Sequence, residues 1–352
     1  MKIRETQSKL AFGKRDFPAG GLTINKEQCE KIAQIVKNLK FRPDFLKREI
    51  LTFTDDKEMK ARVYFYVTAI CHQTRKLISK KRNLTGWDYL TEVFIELSQK
   101  EPAFFELRNL KLINIDKLAT RLKILFSDYD DSEHTTLERA EERAEFLVDS
   151  GKILDEKYSG KVLNLLKESE GYLVKNNHGL YKLLEEFRAY SDPLKKKSSV
   201  LLNFISSSGI FEIKDPENFF PIVDYHMLRV FLRMGCLEIN DKNLRRKLMN
   251  FEKIGSDEEF RIASQEILKI ISKSSGKTVV ELDPIFWSLG RSCCQIKTTL
   301  CHDKKCDKNP CTFYTYIDLN NHNKCAFQGV CRGSIDENYR KLNEPNVETH
   351  FY

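Results

Sequence analysis

Apolar residues recur three or four positions apart, with charged residues between them, through most of the first 290 positions of this 352-residue chain. That period places them on one face of an α-helix and predicts helices within 25–40, 61–81, 86–100, 114–129, 136–154 and 159–171. Strict alternation, the mark of a half-buried strand, is scarce. Only 15 glycines and 9 prolines interrupt the pattern, and the Pro-bearing breaks at 192–193, 215–221 and 283–284 separate helical segments. A mainly α fold is expected, with short strands confined to the N-terminal region and the cysteine-rich tail. With 41% apolar residues the chain can bury a large core, in two domains or one lobed one. The helical period stops at Cys293, beyond which Cys, Asn, Asp, Lys and Gly dominate.

No run approaches the roughly 18–20 apolar residues that cross a bilayer, and the opening MKIRETQSKLAFGKRDF lacks the apolar core of a secretory signal. A cytoplasmic protein without a membrane partner is expected. The net charge of +8 is modest, but basic residues cluster at Arg75, Lys76, Lys80, Lys81 and Arg82, at Lys195 to Lys197, and at Lys242, Arg245, Arg246 and Lys247. Each cluster is either a solvated face or a track for phosphates, so a polyanionic partner is permitted rather than required. Seven of the ten cysteines fall between 293 and 331, and such crowding in a cytoplasmic chain points to metal rather than disulfides.

Ser191-Asp192-Pro193 reads as a cap followed by a proline in the first turn, so a helix is expected to start there and run toward Ile205. Lys195, Lys196 and Lys197 then fall in its first turns, where the positive end of the helix dipole eases loss of a proton. A neutral lysine is a nucleophile suited to Schiff-base chemistry at a sugar or carbonyl carbon. Three lysines after a proline are equally a solvated run. Asp224, in PIVDYHMLRVFLRMG (221–235), precedes Met227, Leu228, Val230, Phe231, Leu232 and Met234 at helical spacing. It suits an N-cap, and a carboxylate held there also suits the steadying of positive charge on a sugar.

A lysine near a helix start, then an aspartate in VDYH opening an apolar helix ended by Gly235, resembles the helix-hairpin-helix superfamily of DNA glycosylases, above all the archaeal 8-oxoguanine DNA glycosylases. The likeness covers roughly residues 60 to 290 in scattered blocks. It implies a two-lobed helical fold, with Lys197 as the Schiff-base lysine and Asp224 as the catalytic aspartate. The glycine-rich hairpin of the wider superfamily is missing from SDPLKKKSS, a departure that fits the archaeal branch. AICHQT followed by GWDYL is similar to the segment with which that branch reads the base, which implicates Gln73 and Trp87. ELDPIFWSLGR places Asp283 and Trp287 four apart on one helical face. In the branch such a pair lines the pocket for the extruded base, although each tryptophan also reads as core and Asp283 as a cap.

The Gly-Arg pair that leads into Cys294 resembles endonuclease III and its adenine glycosylase relatives, in which C-x6-C-x2-C-x5-C surrounds a 4Fe-4S cluster. Cys294 with Cys301, and Cys325 with Cys331, reproduce the outer intervals; the central one is longer and holds Cys306 and Cys311. The resemblance implies a 4Fe-4S cluster on Cys294, Cys301, Cys325 and Cys331, with Cys311 as a substitute ligand. Zinc, with His302 or His322, is the alternative metal.

The expected organisation is an N-terminal helical lobe (1–110), a lobe carrying the lysine and aspartate (111–240), C-terminal helices packing back on the first lobe (241–292) and a metal-bound tail (293–352). The expected function is that of a monomeric DNA glycosylase with AP-lyase activity, acting in base excision repair on a damaged purine such as 8-oxoguanine flipped out of double-stranded DNA. Two other readings stand beside it. One is an N-glycosidase that releases a modified base from a nucleoside or nucleotide, which the modest net charge favours; the other is a non-enzymatic, metal-stapled nucleic-acid-binding protein.

Overall fold

A computed structural model describes residues 21–106, 114–297, 299–302, 311–319 and 323–352. The chain runs β1 (Leu22–Ile24), α1 (Lys26–Asn38), β2 (Lys40–Phe41), α2 (Lys57–Ala69), β3 (Ile78–Ser79), β4 (Leu84–Thr85), α3 (Trp87–Lys100), α4 (Ile115–Leu125), α5 (Ala140–Tyr158), α6 (Val162–Glu168), α7 (Lys196–Ser207), α8 (Tyr225–Met234), β5 (Leu237–Ile239), α9 (Lys242–Met249), α10 (Glu258–Ser275), α11 (Val279–Ser292) and β6 (Ile317–Asp318), with shorter helical turns between them. The fold is mainly helical. Short polar residues start the helices as their chemistry demands: Asn25, Asp56, Asn114, Asp224 and Asp241 each accept a hydrogen bond from the first turn, and Thr278 with Glu281 forms a reciprocal capping box. Glycine at φ 76° (Gly235) and 77° (Gly276) ends α8 and α10 in the left-handed conformation that costs other residues more.

The strands pair antiparallel in twos, β1 with β5, β2 with β6, and β3 with β4 as a hairpin. The expected strands near the N-terminus and in the tail are thus partners of each other or of the chain beyond α8. Two expected helices begin or end elsewhere. The run 61–81 is helical only to Ala69, because Gln73 turns at φ 45° and the chain enters the β3–β4 hairpin. The helix expected at Pro193 begins at Lys196, after Lys195 at φ 60°.

Two apolar cores result. The first lies within residues 61–219, where Tyr64, Phe65, Phe94, Phe126, Leu147, Phe187, Tyr190 and Leu202 are buried together. The second joins the early chain to the late, packing Ile32 and Val36 of α1 against Phe231 of α8, Ile267 and Ile271 of α10, Phe286 of α11 and Phe327 of the tail. The boundary expected near 240 falls inside this second core. The chain passes from one core to the other at 219–223, so Asp224 stands at the seam. Among the described residues, no helix is long and apolar enough to cross a membrane.

Candidate active site

Asp224 is 6% exposed and accepts a hydrogen bond from Met227 N at 3.1 Å, so its capping role is real. Asp283 comes to it from the second turn of α11. The two helices approach closely because residue 290 is glycine: a Cβ there would lie 2.8 Å from the His226 carbonyl oxygen. Arg229 of α8 reinforces the contact, donating from Nη2 to the Gly290 carbonyl at 2.8 Å and from Nη1 to the buried Glu344 at 2.6 Å. The third member arrives from the other core. Lys196, in the first turn of α7, is buried with its amine 3.5 Å from the Cys71 sulfur.

These three groups set one another's ionisation. Burial pushes Asp283 up to about 7, and the negative charge of Asp224 adds to the rise, while Lys196 and Arg48 oppose it. Asp224 is also raised by burial, with Lys196, the Met227 amide and Arg229 pulling it back. Burial works against the charge of Lys196, but Cys71, Asp224 and Asp283 outweigh it and hold its ammonium above the ordinary lysine value. One carboxyl therefore keeps its proton near neutrality beside another better supplied with compensating positive charge. That is how a fold separates an acid from a base.

Half-buried aromatic side chains lie on the helices that bear these groups and on the chain packed against them. Trp287, one turn beyond Asp283, stacks on Tyr316 (centroids 6.0 Å, 22°), which meets Phe45 edge-on. Arg48 lies 4.1 Å from the Phe45 centroid and 4.9 Å from that of Tyr316. Trp87 stacks on Phe204 of α7 (5.6 Å, 7°), and Phe204 lies against Tyr64. Arg291 joins the two tryptophan regions: it pairs with Asp88 (2.9 and 2.5 Å), donates to the Thr85 carbonyl at 2.8 Å and sits 5.0 Å from the Trp287 ring.

The structure therefore brings together Asp224, Asp283 and Trp287 and sets Lys196 beside them. Lys197 faces elsewhere. Its amine, fully buried, donates to the Ala69 carbonyl at 2.6 Å at the C-terminal end of α2, 3.3 Å from His72 Nδ1 and 5.1 Å from the Phe146 ring. Burial first, then the charges of Lys196 and Arg143, push it down to about 7. Its contacts are those of a helix-end cap. Gln73 is likewise engaged with the tail, donating from Nε2 to the Val347 carbonyl at 2.8 Å and from its backbone to the Tyr352 carbonyl at 3.0 Å. Arg48, Phe204 and Tyr316 were not singled out by sequence; an arginine after a proline-led turn and isolated aromatics carry no distinguishing signal.

The cysteine loop needs correction. Among the described residues no three or more His, Cys, Asp or Glu side chains are placed to hold a metal, which does not support the expected iron-sulfur or zinc site on Cys294, Cys301, Cys325 and Cys331, with or without Cys311. The sulfurs make packing and polar contacts. Arg233 approaches the Cys294 sulfur at 3.5 Å, the Cys331 thiol points at the Arg233 carbonyl at 3.5 Å, and Cys294, Cys325 and Cys331 pack against the second core. Burial pushes both the Cys325 and the Cys331 thiols up, with the neighbouring Cys294 and Cys301 adding to the rise. Cys306, His322 and the His302 side chain lie outside the described residues.

No family model matches the chain. It is similar to the queuosine 5′-phosphate N-glycosylase/hydrolase of Bos taurus, 26% identical over 167 residues that make up 41% of this chain and 49% of the relative. The match thus spans about half the relative's length. This finding overturns the assignment to the helix-hairpin-helix DNA glycosylases, and with it the DNA-repair and base-excision reading. The motifs behind that assignment were short helix starts and a helical-face pair, which capping and core packing produce in unrelated folds. The similarity found is to an N-glycosidase acting on a nucleotide.

Proposed function

We propose that this protein is an N-glycosidase that releases the base from a nucleoside 5′-monophosphate, with a modified base of the queuosine type as the first candidate. The observation that carries the reading is the buried Asp224 and the half-buried Asp283 acting on each other's ionisation, Asp283 pushed up to about 7, with Lys196 acting on both and Trp287 one turn beyond Asp283. The likeness to the bovine nucleotide N-glycosidase supports the same substrate class. A small substrate also suits the basic clusters, because several of their charges already pair with carboxylates of the same chain: Arg75 with the buried Glu344 (2.6 Å) and, at the surface, Lys76 with Glu138 (2.7 Å), Arg82 with Glu96 (2.5 Å) and Arg246 with Glu252 (2.5 Å).

In this mechanism Asp283 donates its proton to the base as the bond from C1′ to nitrogen breaks and its electron pair leaves with the base. Asp224, ionised, steadies the positive charge that develops on the sugar. Water adds to C1′ and its proton returns the carboxyl pair to the starting state, leaving free base and ribose 5-phosphate. Lys196 keeps Asp224 ionised. Trp287, Tyr316 and Arg48 offer flat faces for the base. Held charged, Lys196 serves this mechanism as a cation rather than as a nucleophile.

The test is incubation with queuosine 5′-phosphate and a panel of ordinary and modified nucleoside monophosphates, with any free base identified by mass spectrometry. Release that disappears in Asp224→Asn is expected. No release from any monophosphate would refute the reading.

A further inference from the structure

The relative placement of Lys196 and Asp224 is controlled from a third element. Arg261 and Gln265 lie one turn apart on α10, so both face the same side, and both are almost fully buried. Arg261 grips the two oxygens of Asp192 (3.1 and 2.5 Å), and Asp192 in turn accepts the backbone N–H groups of Leu194 (3.1 Å) and Lys196 (2.9 Å). The amide nitrogen of Gln265 donates twice, to the Leu194 carbonyl at 3.0 Å and to the Pro221 carbonyl at 3.1 Å. Leu194 leads into the helix that bears Lys196; Pro221 leads into Asp224. One amide therefore couples the approach to the amine with the approach to the carboxylate. The aromatic ring of Tyr352 backs the arrangement, 5.0 Å from the Arg261 guanidinium.

The coupling has work to do. Lys195 stands at φ 60°, an unfavourable backbone for a residue with a side chain, and this turn decides which of the three consecutive lysines faces the acid pair. We propose that Arg261 and Gln265 are positioning residues that hold the turn at Lys195 and so fix the amine of Lys196 against Asp224 and Asp283. The proposal rests on the glycosidase reading for its kinetic consequence, but not for its geometry. Both act at a remove from the acid pair: Arg261 through the Asp192 carboxylate that holds the Leu194 and Lys196 N–H groups, Gln265 through the carbonyls of Leu194 and Pro221.

The experiment uses Gln265→Leu, which keeps bulk and removes both donated bonds, and Arg261→Lys, which keeps the charge and removes the fork. With queuosine 5′-phosphate as substrate, each variant should lower kcat by roughly tenfold or more while KM changes less than about twofold, as expected of a group misplaced in the transition state rather than lost from binding. The decisive arm repeats both in Lys196→Met. If the two α10 residues act through Lys196, they cause no further loss in that background; independent, multiplying losses would overturn the proposal. Should the wild type cleave no monophosphate, the glycosidase reading fails, and crystal structures of the same variants decide the geometry. A Lys196 amine displaced from Asp224 supports the proposal, and an unmoved amine refutes it.

Discussion

Neighbouring residues on a helix point about 100° apart, and in this protein that separation divides two lysines between chemistry and support. Lys196 lies within electrostatic reach of the acid pair, its amine against the Cys71 sulfur, whereas Lys197 holds the end of α2. Lys196→Met should lower kcat by about 100-fold and move the acid limb of its pH profile upward, since the charge that opposes protonation of Asp224 is gone. Lys197→Met should leave kcat within a few-fold but strip the Ala69 carbonyl of its donor, costing about 1–3 kcal/mol in a denaturant melt. Borohydride should trap no adduct with either protein or with the wild type. The acid pair makes its own prediction. Asp283 acts in its protonated form, so the rate should fall as the pH rises through about 7, where that form is lost. Asp283→Asn, measured from about pH 5 to about pH 9, should lower kcat by roughly 100-fold and abolish this alkaline fall.

Elements carry the geometry that single residues cannot. Asp224 and Asp283 come within electrostatic reach where α8 and α11 cross closely at a glycine. Gly290→Ala would put a Cβ 2.8 Å from a backbone oxygen and 2.9 Å from the Cβ of His226, so one helix must shift. Both activity and stability should suffer, the latter by about 1–3 kcal/mol, and thermal melts with kcat measured on the same sample check it. Much of this level was readable in advance. Helical period, the Asp224 cap and the Gly235 stop all follow from local chemistry, and Asp283 and Trp287 share a face because they are four residues apart. What failed to show was long-range. The spacing of 61–81 runs on past Ala69, and only the carbonyls of Val347 and Tyr352, far along the chain, reveal why Gln73 turns there. The same holds for the lysines, identical in sequence and separated by the grip of α10 on Asp192. Cysteine intervals matched a ligand pattern, yet among the described residues no metal-holding group forms, and Arg233 contacts both the Cys294 sulfur and the Cys331 thiol.

For the whole molecule, a carboxyl kept protonated near neutrality is a cost to folding. In the unfolded chain Asp283 ionises near its ordinary 3.8; in the folded one it holds its proton to about 7. Between those values the unfolded state binds fewer protons, so stability falls as the pH rises through this window and the loss is complete above about 7. Asp257, raised to about 6 by burial, adds to the fall over the lower part of the window. His72, which burial holds neutral well below its ordinary value, works the other way, because the unfolded chain gains a proton there that the folded one refuses. Comparing one variant with the wild type across pH isolates the Asp283 contribution from these. Asp283→Asn should melt with the wild type near pH 4 and above it near pH 7.5, by about 1–3 kcal/mol once solvent screening of the partly exposed side chain is allowed for. Equal melting temperatures at both pH values would mean that Asp283 ionises normally in the folded protein, and the acid assigned to this site would have to be sought elsewhere. A stabilised but much slower Asp283→Asn is the expected outcome, since a proton held where water would remove it serves the reaction and not the fold.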